Sequence, residues 1–259
     1  MSQSFPPLLE RHGNIAVVTL RRPAQANKLQ QEDVELLHDF WRAIRQDESV
    51  RAVVLTAQGR HFSAGYDLGA ILRTDRVPEA DNGENAFGSM VDALEQLPQV
   101  TVCALNGGVY GGATDLALAC DFRIAVRSCE MFMPAARLGL HYHLGGLRRF
   151  VSRLGLDTAK RLFLLADKLP APEMHAIGYL QRIVEPDDLL PQAMDIAWKA
   201  AAMAPLASRG MKATLNAIAA DNVDLAEVRR SEVRAMHSKD LQEGVTAWHE
   251  KRVPVFHGN

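Results

Sequence analysis

Residues 101–121, TVCALNGGVYGGATDLALACD, set one short apolar run ahead of two glycine pairs and a second apolar run behind them. Val102, Cys103, Ala104 and Leu105 read as a buried strand. The chain breaks at Asn106-Gly107-Gly108 and at Gly111-Gly112, and residues 114–120 resume as an apolar helix. Glycines at such a turn let backbone N–H groups approach a ligand, and the N-terminus of the following helix adds partial positive charge at the same place. This geometry suits stabilisation of negative charge on an oxygen. A glycine pair after a strand is also often just a turn, and the stretch taken alone leaves both readings open.

A second stretch narrows the choice. In residues 51–68, RAVVLTAQGRHFSAGYDL, a buried strand over 52–56 again precedes a glycine turn, followed by Phe62-Ser63-Ala64-Gly65-Tyr66-Asp67. Together the two stretches resemble the signature of the enoyl-CoA hydratase/isomerase (crotonase) family, an F-S/A-A-G-x-D segment followed by N-G-x-x-x-G-G-x-x-E/D-L-A-x-x-C-D. Arg22-Pro23-Ala24-Gln25-Ala26-Asn27 is similar to the family's R-P-x-x-x-N, and Leu138-Gly139-Leu140 with Gly145-Gly146 to its L-G-L-x-P-x-x-G-G. The resemblance runs from about Asn14 to the C-terminus.

The chain between these motifs alternates strand and helix. Strand candidates lie at 15–20 and 122–126, with helices at 32–46 and 86–97; residues 68–85 are polar and read as a mobile loop or irregular helix. Alternation argues for an α/β fold with right-handed crossovers. The resemblance implies something more specific, a crotonase-like spiral of ββα units over residues 1–188 with an all-helical C-terminal region over 189–259. In that region 189–203, 208–221 and 225–251 read as helices. Their apolar faces either fold back on the body or, as the resemblance implies, pack subunits into a homotrimer or a dimer of trimers.

At 259 residues and 47% apolar, the chain can bury a sizeable core. A net charge of −2 with scattered Lys and Arg offers no field for nucleic acid. Cys103, Cys120 and Cys129 lack paired spacing and read as reduced packing residues, with neither disulfide nor zinc expected. No leader and no run of about 18 apolar residues appears, so a cytoplasmic protein without a membrane partner is expected. Neither a Walker A motif nor G-x-G-x-x-G after a strand is present, which argues against ATP or a dinucleotide.

By resemblance, the ligand is an acyl-CoA, with coenzyme A carried on the substrate and no separate cofactor. The family's two oxyanion donors fall on the backbone N–H groups of Tyr66 and Gly112. Tyr66 is large for its position and either lines the acyl pocket or caps the loop. Coenzyme A is expected across the segments of Ala24, Ala26 and Lys28 and of Ala64, Asp67 and Leu68, with Gly111 and Ala135 also at the substrate. Lys28 and Lys251 are the candidate basic contacts for the CoA phosphates or adenine, Lys251 by reaching a neighbouring subunit.

The family's hydratases use two glutamates. The first position is Asp115 here, and the second falls on Ala135, which carries no acid. His143 lies 28 positions after Asp115, where dienoyl-CoA isomerases of the family have a catalytic aspartate. Asp115 with His143 is therefore the expected acid–base pair. The reaction implied is hydration or double-bond isomerisation through an enolate; the alternative is an acyl-CoA-binding protein with little or no catalysis.

Overall fold

The computed structural model describes residues 4–67, 69 and 85–259. Leu68, expected at the substrate, and most of the expected loop over 68–85 lie outside the described residues.

Six strands form the main sheet in the order β1-β2-β3-β4-β6-β9: β1 (Leu8–His12), β2 (Ile15–Leu20), β3 (Ala52–Ala57), β4 (Val100–Leu105), β6 (Phe122–Val126) and β9 (Arg182–Val184). From β2 to β9 every pairing is parallel, and β1 closes one edge as an antiparallel hairpin with β2. The strands β2, β3 and β4 read as unbroken apolar runs because both faces of the sheet are covered. A second, three-stranded sheet holds β5 (Val109–Tyr110), β7 (Glu130–Phe132) and β8 (Lys168–Pro170).

From β4 to β7 the strands alternate between the two sheets. The chain passes from β4 to β5 and then into a helix, and from β6 to β7 in the same sense. Isolated bridges Leu29↔Tyr66 and Ser63↔Val109 carry the pattern back to the earlier turns. This is a spiral of ββα units, as expected.

Four helices of the body matter for the site: α1 (Gln31–Gln46), α2 (Ala86–Glu95), α3 (Gly112–Ala119) and α4 (Leu144–Leu154). In α1 the buried stripe is Val34, Leu37, Trp41 and Ile44, at helical spacing. At about 1.5–3 kcal/mol per fully buried large side chain, that stripe outweighs the cap, where Asp33 accepts from the Gln30 N–H at 3.0 Å. Helix α3 is buried all round, so its position is fixed by the core on every side.

After residue 188 come α5 (Leu189–Ala201), α6 (Pro205–Ala219), α7 (Leu225–Met236) and α8 (Lys239–Glu250). Helix α5 packs across β2, β3, β4 and β6 through Leu189, Ala193 and Ala197. Helix α6 is tied to the body by Lys212, whose Nζ donates to Asp121 Oδ2 at 2.6 Å and to Gln99 O at 2.7 Å. Beyond it the apolar side chains turn outward: Leu215, Leu225, Met236 and Trp248 are exposed, Trp248 to 84%.

The last expected helix, over 225–251, is two helices. Ser238 Oγ accepts from the Leu241 N–H at 3.1 Å and caps α8, while the buried Asp240 takes the His257 and Gly258 N–H groups at 2.8 Å each. A continuous helix would break both sets of bonds. Strands β1, β5, β7, β8 and β9 lay outside the sequence reading. Four of them are only two or three residues long, and β1 is a polar edge strand with a weak pattern. Among the described residues no helix is long and apolar enough to cross a membrane, and all three cysteines are free and buried.

Candidate active site

Two loops meet at the start of α3. Asn106 Nδ2 donates to Gly59 O at 2.7 Å, the Phe62 N–H to Gly108 O at 3.0 Å, and the Tyr110 N–H to Ser63 O at 3.0 Å. Glycine is required at the contact itself: a Cβ on Gly107 would lie 1.9 Å from Arg60 O, and one on Gly65 would lie 2.6 Å from Tyr110 O. That same Cβ position is 3.0 Å from the Gly112 nitrogen. The loop holding Tyr66 is thus pressed against the first residue of α3.

The R-P-x-x-x-N and F-S-A-G-x-D residues brace this arrangement. Asn27 is buried in a left-handed conformation (φ 50°); its Oδ1 accepts from the Arg22 N–H, and its Nδ2 donates to Gln58 O and His61 O, each at 2.8 Å. Arg22 in turn pairs with Asp33 and Glu32. Ser63 Oγ donates to Asn27 O at 2.7 Å and accepts from the Gly65 N–H at 3.0 Å. The Tyr66 and Gly112 N–H groups have no acceptor among the described residues. Gly112 is the first residue of the helix and has no intrahelical partner by position.

Asp115 stands in the first turn of α3 and is completely buried. Its Oδ1 accepts from Arg149 Nη1 at 2.6 Å; its Oδ2 accepts from His143 Nε2 at 3.0 Å and from Tyr142 Oη at 3.2 Å. Burial pushes the carboxyl up, but the His143 hydrogen bond and the Arg149 charge outweigh it and hold the group below its ordinary value. Burial and the neighbouring Asp115 charge push the Tyr142 phenol well up, so it stays a donor. Although burial opposes its charge, Arg149 is held above its ordinary value by Asp115 and Glu95.

The expected pair, Asp115 and His143, is therefore in contact. His143 is the N-cap of α4, where its Nδ1 accepts from the Gly146 N–H at 3.2 Å. The Gly145-Gly146 pair lets α4 approach: a Cβ on Gly146 would lie 2.7 Å from Asp115 Oδ2, and one on Gly145 would lie 2.7 Å from Asp92 Oδ1. Phe87 of α2 lies over Gly112, its ring 5.8 Å from that of Tyr66 and 6.3 Å from that of His143.

The remaining candidates scatter. Ala26 accepts from the Ala64 N–H at 2.7 Å, which joins the two proposed CoA-facing segments. Ala24 is exposed on a short turn. Lys28 Nζ sits 3.2 Å from Asp67 Oδ2. Gly111 supplies the positive φ (53°) that starts α3. Ala135 is buried and opens a short helical turn, Ala135–Leu138. Lys251 is exposed at the end of α8.

Sequence reasoning missed Arg149 and Phe87. Arg149 had a faint signal, a charged residue one helical turn after Gly145-Gly146. Phe87 looked like one more member of an apolar stripe.

The family model described as enoyl-CoA hydratase/isomerase matches residues 10–259. A short-chain-enoyl-CoA hydratase of Clostridium acetobutylicum is 31% identical over 95% of each chain, and a carnitinyl-CoA dehydratase of Salmonella typhi is 29% identical over the whole of both. Among solved structures, an enoyl-CoA hydratase/carnithine racemase from Magnetospirillum magneticum superposes with a TM-score of 0.91 at 28% identity, covering 99% of this chain and 97% of that one. The chain belongs to the enoyl-CoA hydratase/isomerase family and has its crotonase fold.

Proposed function

We propose that this protein moves a proton on the acyl chain of an acyl-CoA thioester through an enolate, with double-bond isomerisation favoured over hydration. The observation that carries the reading is the adjacency of the Tyr66 and Gly112 N–H groups at the start of a buried helix whose first turn holds Asp115 against His143. Removing the proton next to a thioester sends the C–H electron pair toward the carbonyl, and the oxygen gains the charge. Two fixed backbone donors and a helix N-terminus are suited to hold it; one such donor is typically worth about 10²–10³ in rate.

Hydration needs a second acid to position water. Ala135 supplies none, and Asp115 already accepts from three donors. The substrate would lie along the segments at 24–28 and 64–67 with CoA as part of it and no other cofactor. The exposed apolar faces of α6–α8 support association into a trimer or a dimer of trimers.

The second reading, an acyl-CoA binder without turnover, draws on the complete burial of Asp115. Proton NMR of crotonyl-CoA and butyryl-CoA in deuterated water separates the two. Enzyme-dependent loss of the α- or γ-proton signal supports the proposal, and bound thioester with no exchange supports the binder.

A further inference from the structure

We infer that Phe87 is the specificity-determining residue of this site: its ring closes the acyl side of the turn at Gly112 and holds the substrate class to short acyl groups. The inference rests on the placement of an acyl-CoA thioester at Tyr66 and Gly112 proposed above, and on no assignment of the group that carries the proton.

The ring lies end-on against the start of α3. A Cβ built on Gly112 would sit 2.7 Å from Phe87 Cζ, 3.0 Å from Cε1 and 3.4 Å from Cε2. Carbon atoms in ordinary contact are about 3.5–4.0 Å apart, so not even a methyl group fits between the ring and the helix start. Two further aromatic groups flank it, Tyr66 at 5.8 Å with a 43° tilt and His143 at 6.3 Å, edge-on at 80°. Phe87 therefore spans from the loop that carries one backbone donor to the imidazole, with its far edge at the other donor. A thioester carbon bears two arms. With CoA along the segments at 24–28 and 64–67, the acyl arm leaves toward α2 and α4, where this ring stands.

The wall is firm because α2 is fixed. Phe87 is 6% exposed, and Asn85 Oδ1 caps the helix by accepting from the Gly88 N–H at 3.1 Å. Gly88 lets the helix seat on His143, since a Cβ there would lie 3.0 Å from Nδ1. Further along, Asp92 Oδ1 accepts from Arg149 Nη2 at 2.6 Å and Glu95 Oε1 from Arg153 Nη2 at 3.1 Å, while Met90, Val91 and Leu94 are buried in the core. An acyl chain of a few carbons can end against the ring. A longer one has to displace it, and with it part of this packing. Tyr66 is the more open side, its hydroxyl donating to Gln31 Oε1 at 2.9 Å on the exposed rim, so the limit on length falls on Phe87.

The test titrates wild type, Phe87→Ala and Leu94→Ala with butyryl-, hexanoyl- and octanoyl-CoA by calorimetry, and follows α-proton exchange on the same thioesters in deuterated water. Wild type should favour butyryl-CoA. Phe87→Ala should raise the octanoyl-to-butyryl affinity ratio by about tenfold or more, while Leu94→Ala, two turns along the same helix, lowers the melting temperature and leaves the ratio alone. Wild type that binds octanoyl-CoA as tightly as butyryl-CoA overturns the inference. So does an unchanged ratio in folded Phe87→Ala, an equal gain on all three thioesters, or the same shift in Leu94→Ala. If Phe87→Ala does not fold, Phe87→Leu, which removes the Cζ edge, has to shift the ratio in the same direction or the inference fails. Length-ordered binding without exchange in wild type sinks the proton-transfer reading and leaves Phe87 its role; no binding of any acyl-CoA sinks both.

Discussion

His143 Nε2 lies 3.0 Å from Asp115 Oδ2 although 28 positions separate the residues. Helix α3 delivers the carboxylate from the core side and the N-cap of α4 delivers the imidazole from the other. The ring lies between the carboxylate and the Phe87 ring, so the two groups are expected to act as a unit.

Asp115→Asn keeps the shape and removes the charge. Turnover on the best enoyl-, dienoyl- or aryl-CoA thioester should fall by about 10²–10⁴, with thioester affinity within a few-fold because the loops at Tyr66 and Gly112 are untouched. His143→Gln should lose a comparable factor, and the double variant less than the product of the two. Steady-state kinetics on such a panel checks this, and wild-type turnover in Asp115→Asn would defeat the mechanism.

Gly112→Val should fold and be nearly inactive. A Cβ at Gly112 would lie 2.7 Å from Phe87 Cζ, so the ring is displaced as well as the substrate. Circular dichroism paired with turnover reads this out; a folded variant with full activity removes the assignment of Gly112 as an oxyanion donor.

The depressed carboxyl of Asp115 also bears on stability. A group whose folded value lies below its unfolded one contributes fully above the unfolded value, about 3.9 for aspartate, and loses that contribution as pH falls through the folded value. Denaturant midpoints measured from pH 6 down to 3 should therefore drop less steeply for Asp115→Asn than for wild type. Parallel slopes would show that Asp115 does not titrate with folding.

Lys212→Met should destabilise without touching chemistry. It leaves Asp121, which still binds the Thr101 N–H and hydroxyl, without its cation. Removing the cation from this partly buried pair should cost about 1–3 kcal/mol. Urea unfolding at fixed protein concentration should show the shift; an unchanged midpoint would mean that α6 is held by packing alone.

Light scattering should find a trimer or hexamer, since Trp248, Met236 and Leu225 are exposed on one chain. Trp248→Glu should weaken the assembly. A clean wild-type monomer at micromolar concentration counts against the association proposed here.

Much of this protein was legible in the chain because its signals are local. Apolar runs at β2, β3 and β4, the glycine pairs and the motif residues announce strands, turns and family by near neighbours alone, and the spacing of Asp115 and His143 matched a pattern of paired acids. Other features depend on what packs against what. That Asp115 is wholly buried, that Arg149 and Tyr142 share it, and that Phe87 rests on Gly112 follow from α2 and α4 closing over α3, an arrangement made by residues far apart in sequence. The strands of two or three residues exist only because a neighbouring strand offers them hydrogen bonds. The break at Ser238 is decided by the C-terminal tail returning to Asp240. Sequence set the chemical groups and the local geometry; long-range packing determined which of them meet, because burial and partner identity are properties of the assembled core.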